Sequence, residues 1–187
     1  MRAACAFSAS DGPPERQRGK RMARTVKRLK GELLGSPEVL DEIFCLIYEN
    51  MKELCPPTGE DREEDKRIWQ EFNRQGVLQN GRTTALVYDG QTLCGFLQYE
   101  RAGSLCCWGD MDIAPRYRKD GVTIRLLVRE FLRDGDFADC ETICTQIMDK
   151  NRESRSLAVH LGFRQGEKTA RGHRYFCVRS ALKKFEK

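Results

Sequence analysis

The chain has 187 residues, of which 40% are hydrophobic and 33% charged, with a formal net charge of +5 at pH 7. This composition predicts one globular domain with enough chain to bury a core. No apolar run is long enough to cross a bilayer, and the first residues lack the apolar stretch of a signal peptide, so we expect a cytoplasmic protein with no membrane partner.

The excess positive charge lies at the start of the chain, where residues 1–30 carry +7 and leave −2 for the remainder. Residues 1–21 are polar, contain Pro and Gly, and are predicted to form a disordered basic arm before a domain at 22–187. A basic arm can contact nucleic acid, but this one lacks the interleaved aromatic residues that stack on bases. We therefore favour a solvated tail. Met22 also offers an alternative start for the natural chain.

The first half of the domain is predicted to contain a strand, two helices and a β-hairpin. Ser36 is a good N-cap with Pro37 at the first helical position, and a proline pair at 56–57 ends that helix. Gly76 closes the second helix, and the Asp89-Gly90 turn joins the two hairpin strands. The predicted bounds are a strand at 25–30, helices at 36–55 and 61–75, and strands at 83–88 and 92–100.

The second half alternates strands with two more helices before a pair of closing strands. Its predicted bounds are a strand at 105–113, a helix at about 119–133, a strand at 141–148, a helix at 152–161, and strands near 163–169 and 173–179. The whole domain is thus an α/β chain in the order β-α-α-β-β-β-α-β-α-β-β.

A basic turn joins the strand at 105–113 to the following helix and reads RKDGVT over residues 118–123. A helix N-terminus carries unpaired N–H groups and the positive end of the helix dipole, so it attracts phosphate. Gly121 lets the backbone approach an anion closely because it has no Cβ. Arg118 and Lys119 add positive charge at the same place. The turn therefore predicts a phosphate-binding loop.

A second motif follows about thirty residues later and reads NRESRSLAVHLGF over residues 151–163. Taken together, the two motifs resemble those of the GNAT superfamily of acyl-CoA-dependent N-acyltransferases, whose loop is Arg/Gln-x-x-Gly-x-Gly/Ala and whose later helix is Asn-x-x-Ala-x-x-Leu-Tyr-x-x-x-Gly-Phe. Thr123, Ser154 and Ala158 depart from the pattern, and Ala158 stands where the family has Tyr. The matching residues are Arg118, Gly121, Asn151, Leu157, Gly162 and Phe163.

The resemblance covers almost all of residues 22–187 and implies a single-domain GNAT-like fold, a mixed twisted sheet with helices on both faces. In that fold the strand before the phosphate loop and the strand after its helix splay apart at a bulge, and the pantetheine arm of acyl-CoA lies in the gap. Met111 and Ile113 are then expected beside the pantetheine, and Asn151 near the thioester. The residues expected around the pyrophosphate are Arg118, Lys119, Asp120, Gly121, Val122 and Thr123.

The reaction implied by the resemblance is attack of a primary amine on the thioester of acetyl-CoA. A base must take the amine's proton, and the candidates are Asp110 and Asp112, which share one face of the predicted strand. Strict alternation also places Trp108 on that face, where it could line an amine pocket. A solvated polar strand face is the alternative explanation for the two carboxylates.

The family's usual acid is missing, because Ala158 has no proton to donate. His160 lies about 200° further round the helix and is expected to point elsewhere, so Tyr175 or water is the remaining candidate. Trp69 on the second helix is either part of the acceptor wall or a core residue.

The cysteines and histidines predict no metal site. Nine cysteines, an odd number with no C-x-x-C pair, and only two histidines indicate the reduced thiols of a cytosolic protein. Three functions stay open: an N-acetyltransferase, a CoA-binding module with little or no turnover, and a nucleic-acid-associated protein that uses the basic arm. The amine acceptor, whether small molecule or protein, and the oligomeric state do not follow from the sequence.

Overall fold

The computed structural model describes residues 23–31, 36–52, 54 and 61–186, with the side chains of 78 and 79 excepted. The basic arm predicted at 1–21 and the proline pair at 56–57 lie outside these residues. Within them, no helix combines the length and the apolar character needed to span a membrane.

The eleven predicted helices and strands follow one another in the predicted order, and one short helix is added at the end. In chain order they are β1 (Thr25–Lys30), α1 (Pro37–Met51), α2 (Arg62–Asn80), β2 (Thr83–Asp89), β3 (Thr92–Ala102), β4 (Leu105–Ile113), α3 (Val122–Leu132), β5 (Thr142–Met148), α4 (Arg152–Leu161), β6 (Arg164–Thr169), β7 (Gly172–Val178) and α5 (Arg179–Leu182).

The strands form one mixed seven-stranded sheet in the order β1-β2-β3-β4-β5-β7-β6. Every neighbouring pair is antiparallel except β4 and β5, which run parallel. A parallel pair needs a crossover, and α3 supplies it between these two strands. The predicted mixed α/β fold is therefore confirmed.

Apolar side chains cover both faces of the sheet, as expected for a sheet enclosed by helices. On one face the larger core joins α3 to the sheet and includes Leu127, Val128 and Phe131. On the other face Ile43 of α1 packs with Phe96 of β3 in a smaller cluster. Two layers of helices thus position the central strands.

The helices α1 and α2 differ in detail from the prediction. Ser36 is the N-cap of α1, but its hydroxyl donates to the Glu38 carboxylate and does not cap the helix. The predicted end of α2 at Gly76 is wrong, because the helix continues to Asn80 and ends at Gly81. A Cβ on Gly76 would lie 2.6 Å from Cζ of Arg82. Gly76 therefore makes room for a buried arginine and does not terminate the helix.

Candidate active site

The strands β4 and β5 pair over a short distance and then part. Three residue pairs join them, Cys106 with Ile143, Cys107 with Cys144, and Trp108 with Thr145. Beyond Trp108, β4 continues to Ile113 and β5 continues to Met148, but the two strands no longer pair with each other. The parted halves form a V-shaped gap in the middle of the sheet, and its vertex lies at Trp108 and Thr145. We call these three residue pairs the seam.

A β-bulge in β4 lies directly beyond the seam. Leu97 of β3 pairs with Met111 and Tyr99 pairs with Trp108, so Gly109 and Asp110 together lie opposite a single residue of β3. A bulge inserts one extra residue and shifts the alternation of side chains along the strand. Residues on the two sides of the bulge therefore follow different alternation patterns.

The bulge places Trp108 on the opposite face of the sheet from the two aspartates. Trp108 packs in the α3-side core, with its ring centroid 5.2 Å from Phe131 and 5.3 Å from Phe163. Asp112 instead meets Asn50 of α1. The prediction that Trp108 shares their face is wrong, because it assumed an unbroken strand. The prediction that both aspartates lie on one face agrees with their contacts to α1 and α2.

A cleft of about 850 Å³ fills the gap between β4 and β5 and extends towards the helices. Its walls come from α1, α2, β4, β5, α4 and the turn between β6 and β7. Asp110, Met111 and Asp112 line it from β4, and Ala158 lines it from α4. The cleft thus combines the predicted carboxylates with the position at which the expected tyrosine is absent.

Asp112 lies on the cleft wall beside α1. Its Oδ1 accepts a hydrogen bond of 2.9 Å from Nδ2 of Asn50. Burial raises the pKa of the Asp112 carboxyl to about 7, although the bond from Asn50 opposes that rise. The negative charge of Asp110 adds to it, and the positive charge of Arg118 opposes it. Asp112 is consequently a carboxyl that exchanges its proton near neutral pH.

Asp110 lies in the bulge and towards α2. Burial raises the pKa of its carboxyl, while the positive charge of Arg82 and the indole of Trp69 favour the ionised form. Arg82 is itself nearly buried, at 7% exposure, and its Nε donates to Glu100 over 2.8 Å. Two carboxyls with raised pKa values therefore lie side by side in one cleft, an arrangement typical of functional sites.

Both tryptophans of the chain line the cleft. The Nε1 atoms of Trp69 and Trp108 are buried, and neither has a hydrogen-bond partner of good geometry in the part of the chain that the structure describes. Trp69 also packs on Phe44, with ring centroids 5.9 Å apart, so it serves both the core and the cleft. Buried donors without acceptors are uncommon in native proteins.

The predicted phosphate loop begins α3 in the expected way. Gly121 is the N-cap, with a left-handed φ of 65°, and a Cβ there would meet no protein atom within 4 Å. The space above the loop is therefore open to a ligand. The Asp120 carboxylate accepts from the backbone N–H of Val122 over 2.9 Å and pairs with Arg24. Thr123 is fully buried, and its hydroxyl accepts from Arg24.

Arg118 and Asn151 lie at the wide end of the cleft. Arg118 donates from Nε to the carbonyl oxygen of Ile113 over 2.9 Å and from Nη1 to Glu153 over 2.8 Å, so it ties the end of β4 to the start of α4. The side chain of Asn151 caps α4 by accepting from the N–H of Ser154 over 3.0 Å. Arg118 thus links β4 to α4, whereas Asn151 acts within α4.

The structure brings together only some of the predicted site residues. Asp110, Met111, Asp112, Arg118 and Asn151 line the cleft. Ile113 and the loop residues do not line it; the loop lies further along, at the start of α3. The members of this second group are Lys119, Asp120, Gly121, Val122 and Thr123.

Asn50 is a cleft residue that sequence reasoning missed. It follows Ile43 by seven residues, so it lies on the apolar stripe of α1. A polar residue on such a stripe is the signal that would have identified it. Conversely, Tyr175 is buried, donates to Gln165 and does not line the cleft, and His160 is exposed on α4. Neither is placed to serve as the acid.

Among the residues that the structure describes, no group of three or more His, Cys, Asp or Glu side chains is arranged to hold a metal ion. The seven cysteines in these ranges are free thiols. The Sγ atoms of Cys107 and Cys144 lie 2.7 Å apart across the seam.

No family model matches this chain, and no curated protein matches its sequence. Solved structures do match its fold. The PaiA N-acetyltransferase from Thermoplasma acidophilum, in complex with coenzyme A, gives a TM-score of 0.64 at 15% identity over 84% of this chain and 99% of that one. A GNAT-family acetyltransferase from Staphylococcus aureus gives 0.61 at 14% identity over 83% and 99%.

A variant of the SpeG spermidine N-acetyltransferase from Vibrio cholerae matches with a TM-score of 0.59 at 17% identity, over 85% of this chain and 95% of that one. At these identities the likeness concerns the fold. The chain therefore has the fold of the GNAT-family acetyltransferases, as its two motifs predicted.

Proposed function

We propose that this protein is an acyl-CoA-dependent N-acyltransferase that transfers an acetyl group from acetyl-CoA to a primary amine. One observation carries the proposal: β4 and β5 part beside two half-buried carboxyls with raised pKa values in a protein with the GNAT fold. The gap suits a narrow chain such as pantetheine, and the carboxyls supply the base that an amine needs. The gap and the carboxyls each have a separate role in the proposed reaction.

Binding of the donor is proposed along β4 and at the start of α3. The stretch of β4 beyond Trp108 has no ladder partner in β5, so its backbone groups are available to the amides of a pantetheine arm. The N-terminus of α3 and the open space above Gly121 suit the pyrophosphate. We propose that Met111 and Ile113 flank the pantetheine, with Asn151 towards the thioester. The pyrophosphate is proposed at Arg118, Lys119, Asp120, Gly121, Val122 and Thr123.

In the proposed reaction the amine nitrogen attacks the thioester carbon, the C–S bond breaks, and the electron pair leaves with sulfur. Asp112 takes the proton from the amine, directly or through water, because its pKa of about 7 leaves it substantially ionised at neutral pH. The attacking amine is neutral, and Asp110 stabilises the positive charge that develops on its nitrogen as the N–C bond forms and before Asp112 takes the proton. No metal is needed for these steps.

The acceptor is proposed to be an amine that is cationic in solution, because two carboxyls face the cleft. One structural neighbour is a spermidine N-acetyltransferase, which fits this class of acceptor. The seven described cysteines are free thiols, which supports a reducing compartment such as the cytoplasm.

A second candidate function is a CoA-binding module with little or no turnover. Ala158 favours it, since the cleft has a methyl group where the GNAT motif has a tyrosine. A thiolate leaves tolerably at neutral pH, because thiol pKa values are about 8.5, so the missing acid does not preclude transfer. A measurement of amine acetylation by the protein distinguishes the acyltransferase from the binding module.

The test is a panel of primary amines with acetyl-CoA, read out as release of free thiol. We expect kcat/KM to fall as the pH drops below about 7, because protonated Asp112 cannot act as a base. Asp112→Asn should lower kcat by about 10²–10⁴-fold and lose that pH dependence, with little change in acetyl-CoA affinity. Asp136→Asn, at a carboxylate that is 74% exposed, is the matched control and should retain full activity.

If both Asp110→Asn and Asp112→Asn turn over at the wild-type rate, the assignment of the carboxylates is wrong. Binding of acetyl-CoA without turnover of any amine would favour the binding module. Absence of acetyl-CoA binding would reject both functions.

A further inference from the structure

Two thiols face each other at the middle pair of the seam. Cys107 of β4 pairs with Cys144 of β5, and their Sγ atoms lie 2.7 Å apart. Neighbouring strands of a sheet are about 4.8 Å apart, which falls within the Cα separation of about 4.4–6.8 Å that a disulfide spans. The backbone therefore already holds these two thiols where a disulfide can join them.

The two thiols point away from the core beside α3. Cys106 and Ile143 form the preceding pair of the seam and are buried in that core, as is Trp108 on the other side of Cys107. Because side chains alternate along a strand, Cys107 and Cys144 lie on the opposite face of the sheet.

The pair can be reached from solvent on that face. Cys107 is partly exposed, and Cys144 is 7% exposed. Each residue has a ladder partner on both sides, so the surface that stays exposed belongs mainly to the side chains. By contrast, Cys106 and Cys140 lie in the core beside α3 and are 0% and 1% exposed. A small solute therefore meets the pair across the seam and not the thiols of the core.

Oxidation begins with a thiolate, and the surroundings of the pair favour one. A thiolate at either sulfur accepts a hydrogen bond from the other thiol, since either can be the donor. The positive charge of Arg174 also favours the ionised form of both thiols, whereas burial opposes it. We therefore expect the pair to react more slowly than a fully exposed thiol and faster than the cysteines of the core.

We propose that hydrogen peroxide joins Cys107 and Cys144 in a reversible disulfide that fixes the seam and limits how far the cleft opens. One sulfur attacks peroxide, the O–O bond breaks, and that sulfur becomes a sulfenic acid. The other sulfur displaces its oxygen as water, and the S–S bond forms. Two thiols thus lose two electrons and two protons, and one peroxide becomes two molecules of water. A thiol reductant reverses the reaction by exchange.

The position of the disulfide explains its effect on the cleft. Only the three pairs of the seam join β4 to β5, and the last of them, Trp108 with Thr145, is the vertex of the cleft. A covalent bond one pair away from the vertex restrains the parting of the two strands. The effect on CoA binding rests on the proposed function, whereas formation of the disulfide does not.

The first test measures the disulfide and needs no ligand. The reduced protein is treated with hydrogen peroxide, its remaining thiols are alkylated, and the linked peptides are identified by mass spectrometry. Cleavage after Glu141 separates Cys140 from Cys144. Cys106→Ala and Cys107→Ala are matched variants, because the two residues are adjacent in β4 and lie on opposite faces. The link to Cys144 should form in Cys106→Ala and be lost in Cys107→Ala.

Absence of this link in the wild type, or its persistence in Cys107→Ala, would overturn the proposal. Should Cys107→Ala fail to fold, the presence or absence of the linked peptide in the wild type still decides the question.

The second measurement asks whether the bond forms within the native fold. The disulfide closes a loop that contains α3, so the melting temperature of the oxidised wild type should rise by about 5–10 °C above that of the reduced protein. The rise should vanish on addition of a thiol reductant. A linked protein that melts at or below the temperature of the reduced form would show that the bond distorts the seam and would refute its fixing role.

The third measurement concerns the cleft. Dissociation of CoA, followed by stopped-flow, should be about 3–10-fold slower from the oxidised wild type than from the reduced protein, because a fixed seam slows the opening that releases a ligand. Cys107→Ala should release CoA at the same rate before and after peroxide. Equal rates from the two forms of the wild type would overturn the effect on the cleft. If no CoA binds to the reduced protein, the proposed function fails, and the linked peptide and melting temperature still decide on the disulfide.

Discussion

Replacing Asp112 with Asn should change how the stability of the protein depends on pH. Burial raises the pKa of this carboxyl from 3.8 to about 7 in the folded chain. A raised pKa means that the folded state holds the proton more tightly than the unfolded state. The stability contributed by the protonated carboxyl is therefore complete below pH 4 and is lost as the pH rises towards about 7.

The size of this change in stability follows from the shift in the pKa of Asp112. Each pH unit between the unfolded and folded pKa values corresponds to about 1.4 kcal/mol, so the full loss is about 4 kcal/mol. Asn at this position stays neutral and its Oδ1 can still accept from Asn50, the bond that Asp112 accepts now. Relative to wild type, Asp112→Asn should therefore gain up to about 4 kcal/mol of stability between pH 4 and pH 9.

The assay is denaturant unfolding of both chains at intervals from pH 4 to pH 9. Asp136→Asn serves as the control, since that side chain is 74% exposed and its ion pair with Lys30 should contribute less than about 1 kcal/mol at any pH. A stability difference between wild type and Asp112→Asn that stays constant across this range would show that no ionised carboxylate is buried at 112. The base assignment would then lose its physical support.

Three further predictions follow from the loop, the sheet and the arm. Gly121→Glu should weaken acetyl-CoA binding at least 10-fold, as measured by calorimetry. The control is Gly103→Glu, because Gly103 has a similar φ and equally open space around it. This control should lose a comparable amount of stability and keep its affinity for acetyl-CoA. Gly95→Ala should destabilise the fold by about 1–3 kcal/mol in denaturant unfolding, because its Cβ would lie 2.7 Å from the backbone oxygen of Asp112. A chain beginning at Met22 should keep the melting temperature and acetyl-CoA affinity of the full chain, and a loss above about 1 kcal/mol would show that the arm contacts the domain.

The order of helices and strands could be predicted from the sequence because each element carries a local signal. The bounds of β1 and β4 agree residue for residue with the prediction. The predicted end of α2 does not agree with the structure. Gly76 makes room for the guanidinium of Arg82, a residue that lies beyond the helix. A glycine can be required by tertiary packing, and the sequence signals that end a helix do not reveal such a requirement.

Some parts of the candidate site could likewise be predicted from the sequence, and others could not. The predicted phosphate loop at 118–123 has a local sequence pattern and leads into a helix, although α3 begins at Val122 and not at about 119 as predicted. The bulge at Gly109 and Asp110 has no pattern of its own, since it arises from how β4 pairs with β3. The face of the sheet that Trp108 occupies depends on this pairing. It therefore could not be predicted from the alternation of residues along the sequence.

The seam also gives the sheet a hinge. Strands β1 to β4 form one broad plate and β5 to β7 form another, and only three residue pairs of backbone ladder join the two. The aromatic contacts of Trp108 with Phe131 and Phe163 lie beside this joint. Because so few ladder pairs join the two groups of strands, we expect the angle between them to change more easily than the shape of either group. The width of the cleft can then vary without any loss of hydrogen bonds inside either plate.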